Sequence, residues 1–94
     1  MELPEHLRDD GTALRRAYPD GVPDADYWAL LVLLSSEFLA EEAVGEVVGF
    51  VARREPVVVV NDAAAAQSIR IPPSSEIERV RKYLTDSGFE FEQD

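Results

Sequence analysis

From Tyr27 the chain runs Tyr-Trp-Ala-Leu-Leu-Val-Leu-Leu and meets no polar residue until Ser35. That run is too short to cross a bilayer, which takes about 20 apolar residues. It lacks the period-2 alternation of a half-buried strand, and its leucines and alanine are good helix formers. A helix that is apolar on every side belongs at the centre of a fold, touched all round. The pattern predicts a buried central helix at about residues 24–35, with the rest of the chain wrapped on it. Asp24 behind Pro23 is read as its N-cap, and Asp26 as a favourable charge in its first turn.

Upstream, Leu3, Leu7, Leu14 and Tyr18 share one face at helical spacing. Leu3-Pro-Glu5 reads as a helix entry and Arg15-Arg16 suits the negative end of the dipole. Pro19 pushes Tyr18 out of the helical region, so the first helix ends there. Pro19-Asp-Gly21 then has β-turn chemistry. Downstream, Val44, Val47, Val48 and Val51 form the stripe of an amphipathic helix that starts near Glu41-Glu42. Leu39 and Val44 stand at hydrophobic-staple spacing, Arg53-Arg54 close this helix, and Pro56 is read as its stop.

The valines at 57–60 are the locally β-prone run. The nearest partner for a strand is Phe89-Glu-Phe91. The reading preferred here is an extended lead-in to a short helix capped by Asn61 or Asp62, running from Ala63 to about Arg70. Pro72-Pro73 breaks the chain. Ser75-Glu-Ile-Glu78 is a capping box, with Ile77, Val80 and Leu84 as the apolar stripe behind it. Gly88 is placed as a C-cap, after which Phe89 can fold back. Gly45 and Gly49, one turn apart, permit a close helix approach. The expected architecture is all-α, a compact five-helix bundle, with Leu7, Leu14, Val44, Val47, Val51, Ile77, Val80 and Leu84 facing the central helix.

Tyr18-Pro-Asp-Gly-Val-Pro-Asp-Ala-Asp-Tyr27, followed by Leu30, Leu31, Leu33 and Leu34, resembles the signature of a small actinobacterial family catalogued as domain of unknown function 3349. The Leu39-Ala-Glu-Glu helix start, Asn61-Asp62 and the helix ending at Gly88 with an aromatic after it add to the likeness. Ala40 stands where a capping hydroxyl is usual, and Phe89-Glu-Phe91 replaces a Trp-Pro ending. The resemblance covers nearly the whole chain. It implies a monomeric bundle of five α-helices, which includes a fourth helix. It carries no assigned activity, and no catalytic or ligand residue is transferred through it.

Composition narrows the function classes. Ninety-four residues make one helical domain, 1–94. The absence of cysteine excludes a disulfide framework, a thiol nucleophile and thiolate metal sites. Glu2, Glu5 and His6 stand where a signal sequence would be basic then apolar, so a cytoplasmic location is expected. The net charge is −10, and eleven of the nineteen acids fall in residues 1–47 against three arginines. Such a surface repels phosphate backbones and anionic lipid.

No catalytic, cofactor or metal residue is expected. Tyr18, Asp20, Asp24, Asp26 and Tyr27 gather polar groups beside one turn, but each has a local structural reason to be there. The pairs Asp9/Asp10, Glu41/Glu42 and Glu90/Glu92 fit solvated helix ends and tail better than an acid–base pair. His6 is the lone histidine and has no companions for a triad or a zinc site. A DNA-binding reading would use the last two helices, with Arg70, Arg79, Arg81 and Lys82 on phosphates. Against it, Glu76 and Glu78 occupy the turn that a recognition helix aims at bases. The function expected is a small non-enzymatic, cytoplasmic accessory protein that meets a protein partner; the DNA-binding regulator is the alternative.

Overall fold

The apolar run at 27–34 lies inside one helix, and its leucines are sealed. Leu30, Leu31 and Leu34 have 0% exposure and Leu33 has 1%. The structure, a computed structural model, describes Leu3, residues 5–37 and residues 40–89. Among these the chain forms a 3-10 turn, Glu5–Leu7, and five α-helices. They are α1 (Arg8–Ala17), α2 (Asp24–Glu37), α3 (Glu41–Ala52), α4 (Pro56–Ala66) and α5 (Ser74–Asp86). Helix α2 packs against α3, α4 and α5, while α1 closes over α3 and α5. The radius of gyration is 11.9 Å, near the roughly 12 Å of a globule this long. The all-α bundle around a central helix is the architecture that the hydrophobic pattern predicts.

The inward positions agree with the stripes. Leu7, Leu14, Val44, Val47, Val51, Val80 and Leu84 are all buried, with Ile77 packed at the edge of the core. Phe89 folds back and is 4% exposed. Its return is set by Gly88, at φ +97, a conformation that favours glycine. The Phe89 N–H donates to the Leu84 carbonyl at 2.9 Å and the Gly88 N–H to Thr85 at 3.1 Å. These two bonds make a Schellman cap. Leu39 of the expected staple and Phe91 lie outside the described residues.

The valine run corrects the sequence reading. Residues 57–60 are helical, α4 begins at Pro56, and it ends at Ala66 rather than near Arg70. Pro56 sits at the first helical turn, where its missing N–H costs nothing; it ends no helix but starts one. Val59, Ala63 and Ala66 then fall on one buried face. A valine's local preference against helix is worth about 0.5 kcal/mol. Burying one completely returns about 1.5–3 kcal/mol.

Gly45 and Gly49 bring α4 down onto α3. A Cβ on Gly45 would stand 2.7 Å from Val60 Cγ2, and one on Gly49 would stand 2.8 Å from the Arg54 carbonyl oxygen. In an open helix Gly→Ala stabilises by about 1 kcal/mol. Here Gly49→Ala is expected to destabilise by about 1–3 kcal/mol, because a backbone carbonyl must move. Urea unfolding of the variant checks the sign.

Two caps also differ from expectation. Asp24 and Ser75 are not N-caps: α2 starts at Asp24 itself, and α5 starts at Ser74 with no side-chain cap hydrogen bond. In both cases a proline precedes the helix and its carbonyl takes the first helical bonds. Asp26 and Tyr27 N–H donate to Pro23, and Glu76 and Ile77 N–H donate to Pro73. Helix α3 ends on Arg53 at φ 60, the left-handed region that non-glycine residues enter at a cost. Arg53→Gly is accordingly expected to raise stability by about 1 kcal/mol, read as a higher urea midpoint.

Candidate functional site

The turn that joins α1 to α2 and the first turn of α2 carry the polar residues singled out in the sequence, and the fold gathers three of them inside. Tyr18, Asp26 and Tyr27 are 4%, 8% and 2% exposed, whereas Asp20 and Asp24 face solvent. The Tyr18 hydroxyl donates to Asp26 Oδ2 at 2.9 Å. Arg79, from α5, donates to Asp26 Oδ1 at 2.7 Å and to both carboxylate oxygens of Glu76 at 3.0 and 3.2 Å. Tyr83, also on α5, stacks tilted on Tyr18 at 5.2 Å and donates its hydroxyl to the Ala17 carbonyl. The first turn of α2 is thereby tied to α5.

A second clasp ties it to α4 and to the end of α3. The Tyr27 hydroxyl donates to Asp62 Oδ2 at 2.7 Å. The Arg54 guanidinium lies 4.5 Å over the Tyr27 ring and 3.7 Å from Asp24. Trp28 is covered by Arg70 at 4.3 Å. None of these partners could be named from the sequence, since 35 and 53 residues separate Tyr27 from Asp62 and Asp26 from Arg79.

The electrostatics follow from this packing. Burial, and then the hydrogen bond to Asp26, pushes the Tyr18 hydroxyl well above the usual tyrosine range. Burial and the bond to Asp62 do the same to Tyr27. Both phenols therefore stay protonated and donate. Hydrogen bonding to Arg79 lowers the Glu76 carboxyl below the ordinary value and raises the Arg79 guanidinium in turn. A raised folded-state pKa means the unfolded chain loses its protons first. The tyrosine contribution is whole below about pH 10, the unfolded value, and is lost as pH rises beyond it. Urea midpoints should be level from pH 8 to 9.5 and fall above 10, and the fall should be shallower in Tyr27→Phe. At the acid end the sign reverses. Glu76 contributes above its unfolded pKa, and its contribution is lost as pH falls through the lowered folded value.

The remaining sequence candidates are not brought together. Asp9, Glu41 and Glu42 are exposed at helix starts, and Asp10 is half-buried in the first turn of α1. The His6 side chain and the Glu90/Glu92 pair lie outside the described residues. Among the described residues no group of three His, Cys, Asp or Glu is placed to hold a metal ion. No helix among them is long and apolar enough to cross a membrane. Of the four cations expected on phosphates, Arg70 lies beyond the end of α4 and stacks on Trp28, and Arg79 bonds Asp26 and Glu76. Arg81 reaches Glu78 at 3.8 Å. Lys82 is exposed, and nothing in these contacts supports the DNA-binding alternative.

One further feature was not seen in the sequence. A cleft of about 380 Å³ lies between α1, the end of α3 and the start of α4, lined by Arg15, Gly49, Phe50, Arg53, Arg54, Glu55 and Pro56. Arg15 crosses it, 4.4 Å over the Phe50 ring, with its guanidinium donating to the Phe50 carbonyl at 3.3 Å.

The molecule is thus a small all-α bundle whose signature residues clasp its central helix from inside. The chain belongs to the family of proteins of unknown function DUF3349, whose family model matches residues 12–93. No curated protein matches the chain, and no solved structure matches it. Its family carries no activity from which a function could be assigned.

Proposed function

We propose that the chain is a non-enzymatic, monomeric interaction module of the cytoplasm that meets a protein partner through the outer face of α4 and the turn after it. One observation carries this reading. Residues 56–69 contain a single charge, Asp62, in a chain that is 30% charged, and Asp62 is engaged with Tyr27. Beside the uncharged polar Asn61, Gln67 and Ser68, the segment exposes large apolar side chains: Val57 at 61%, Val58 at 41% and Ile69 at 83%, followed by Ile71 at 63%. Scattered surface apolar residues are ordinary, but an uncharged helix face on so charged a protein is a surface suited to being covered. The non-enzymatic part of the reading is supported by the signature phenols and Asp26, whose hydrogen bonds are spent on holding helices together.

The test is photo-cross-linking in cell lysate. A photoreactive residue at Ile69 is expected to give a discrete adduct, and one at Lys82, exposed on α5, is expected to give none. Equal labelling from both positions, or none from either, would sink the assignment of this face.

A further inference from the structure

The cleft beside Arg15 is locally cationic on an acidic molecule. Its lining holds three arginines and one glutamate, on a protein whose net charge is −10. Each arginine keeps donors to spare. Arg15 uses one N–H on the Phe50 carbonyl, and Arg54 stands 3.7 Å from Asp24, which is 96% exposed. Among the described residues none pairs with Arg53. The start of α4 adds its own positive end, with Glu55 at its N-cap as the one acid in the lining. Phe50 and Pro56 give the cleft an apolar floor, and exposed Val57 and Val58 follow directly in the helix.

We infer that this cleft takes an acidic segment of a partner protein, with carboxylates paired to Arg15, Arg53 and Arg54 and apolar side chains laid on Phe50, Pro56 and Val57. Guanidinium groups pair with carboxylates by two parallel hydrogen bonds, which sets both register and affinity. At physiological salt, charges further than about 8 Å are screened, so the cationic lining outweighs the acidic remainder of the surface. The inference rests on the interaction-module reading and names the chemistry of the partner that α4 would meet.

The probe is a synthetic peptide alternating glutamate with leucine, titrated into isotope-labelled protein at physiological salt, with a lysine-for-glutamate peptide as control. The acidic peptide is expected to shift the amide signals of Arg15, Phe50, Arg53 and Val57, and the basic peptide to leave them in place. Arg15→Glu should weaken binding at least about tenfold, the loss of one charge-assisted pair. Arg53→Gly is the sharper variant, because it removes a guanidinium at a position where glycine relieves the backbone; it should bind more weakly while unfolding at higher urea. No shift at millimolar peptide, equal shifts from both peptides, or undiminished binding by both variants would overturn the assignment. If the peptide fails while the adduct at Ile69 persists, the cleft assignment falls and the interaction module stands.

Discussion

Leu30→Ala is expected to cost about 3–5 kcal/mol. Leu30 has 0% exposure in a helix whose neighbours on both sides along the chain are also sealed. Truncation removes its transfer free energy and leaves a cavity that cannot collapse easily. Three helices, α3, α4 and α5, rest on α2, and a shift that fills the gap for one opens it for another. Domains of this size are stable by only about 5–15 kcal/mol, so the variant should sit near its unfolding transition at 37 °C. Urea unfolding at 25 °C reads the loss directly, with an unchanged m-value showing that the bundle survives. A loss below about 1 kcal/mol would mean that α2 is not the centre of the core.

The second large effect is expected at Asp26. Asp26→Ala should destabilise by about 2–3 kcal/mol, most of it from the Tyr18 hydroxyl, which is left buried without an acceptor. Arg79 contributes less to the loss. Its side chain is 46% exposed and can turn to water while keeping Glu76. Two companion variants apportion the effect. Asp26→Asn keeps an acceptor for Tyr18 and should cost about 1 kcal/mol, while the Asp26→Ala, Tyr18→Phe pair should recover part of the loss, since no orphaned hydroxyl remains. Each variant is read by urea unfolding. Full additivity between Asp26 and Tyr18 would contradict the hydrogen bond on which the clasp depends.

What the sequence makes legible is whatever depends on neighbours within a few turns. The central helix is visible because residues 27–34 leave no polar face, and α3 because its valines keep one stripe. The Gly88 cap and the return of Phe89 are visible because a single residue type meets the demand for positive φ. At the start of α4 local and tertiary preferences disagree. Four valines favour extended chain, but Gly45 and Gly49 leave room on α3 for Val60 and Pro56, and Val59 of the resulting helix is fully buried. Pro56 is ambiguous in the sequence, because a proline both ends a helix behind it and suits the first turn of a helix ahead. The caps of α2 and α5 were displaced for a related reason: Pro23 and Pro73 set the helix phase, and the capping side chains one and two residues further on fall inside the helix.

The polar signature illustrates the remaining limit. Residue type and local spacing suggested that Tyr18, Asp26 and Tyr27 are structural, and their burial agrees. Their partners Arg79, Asp62 and Arg54 come from three other stretches of chain, and only the packed fold chooses them. The arginine cleft is not legible in the sequence for the same reason, because Arg15 and Arg53 are brought together only where α1 packs on α3.

The central claim is that the signature residues hold the bundle from within while the outer face of α4 meets the partner. The most direct test compares two variants in one capture experiment from lysate, each normalised to its folded fraction. Asp26→Asn, altered inside, is expected to retain the captured protein per folded molecule. A Val57→Glu, Ile69→Glu double variant, altered outside at exposed positions and expected to unfold within about 0.5 kcal/mol per site of the native chain, is expected to lose it. The opposite outcome, with capture lost at Asp26 and kept at α4, would place the working surface at the signature and contradict the account.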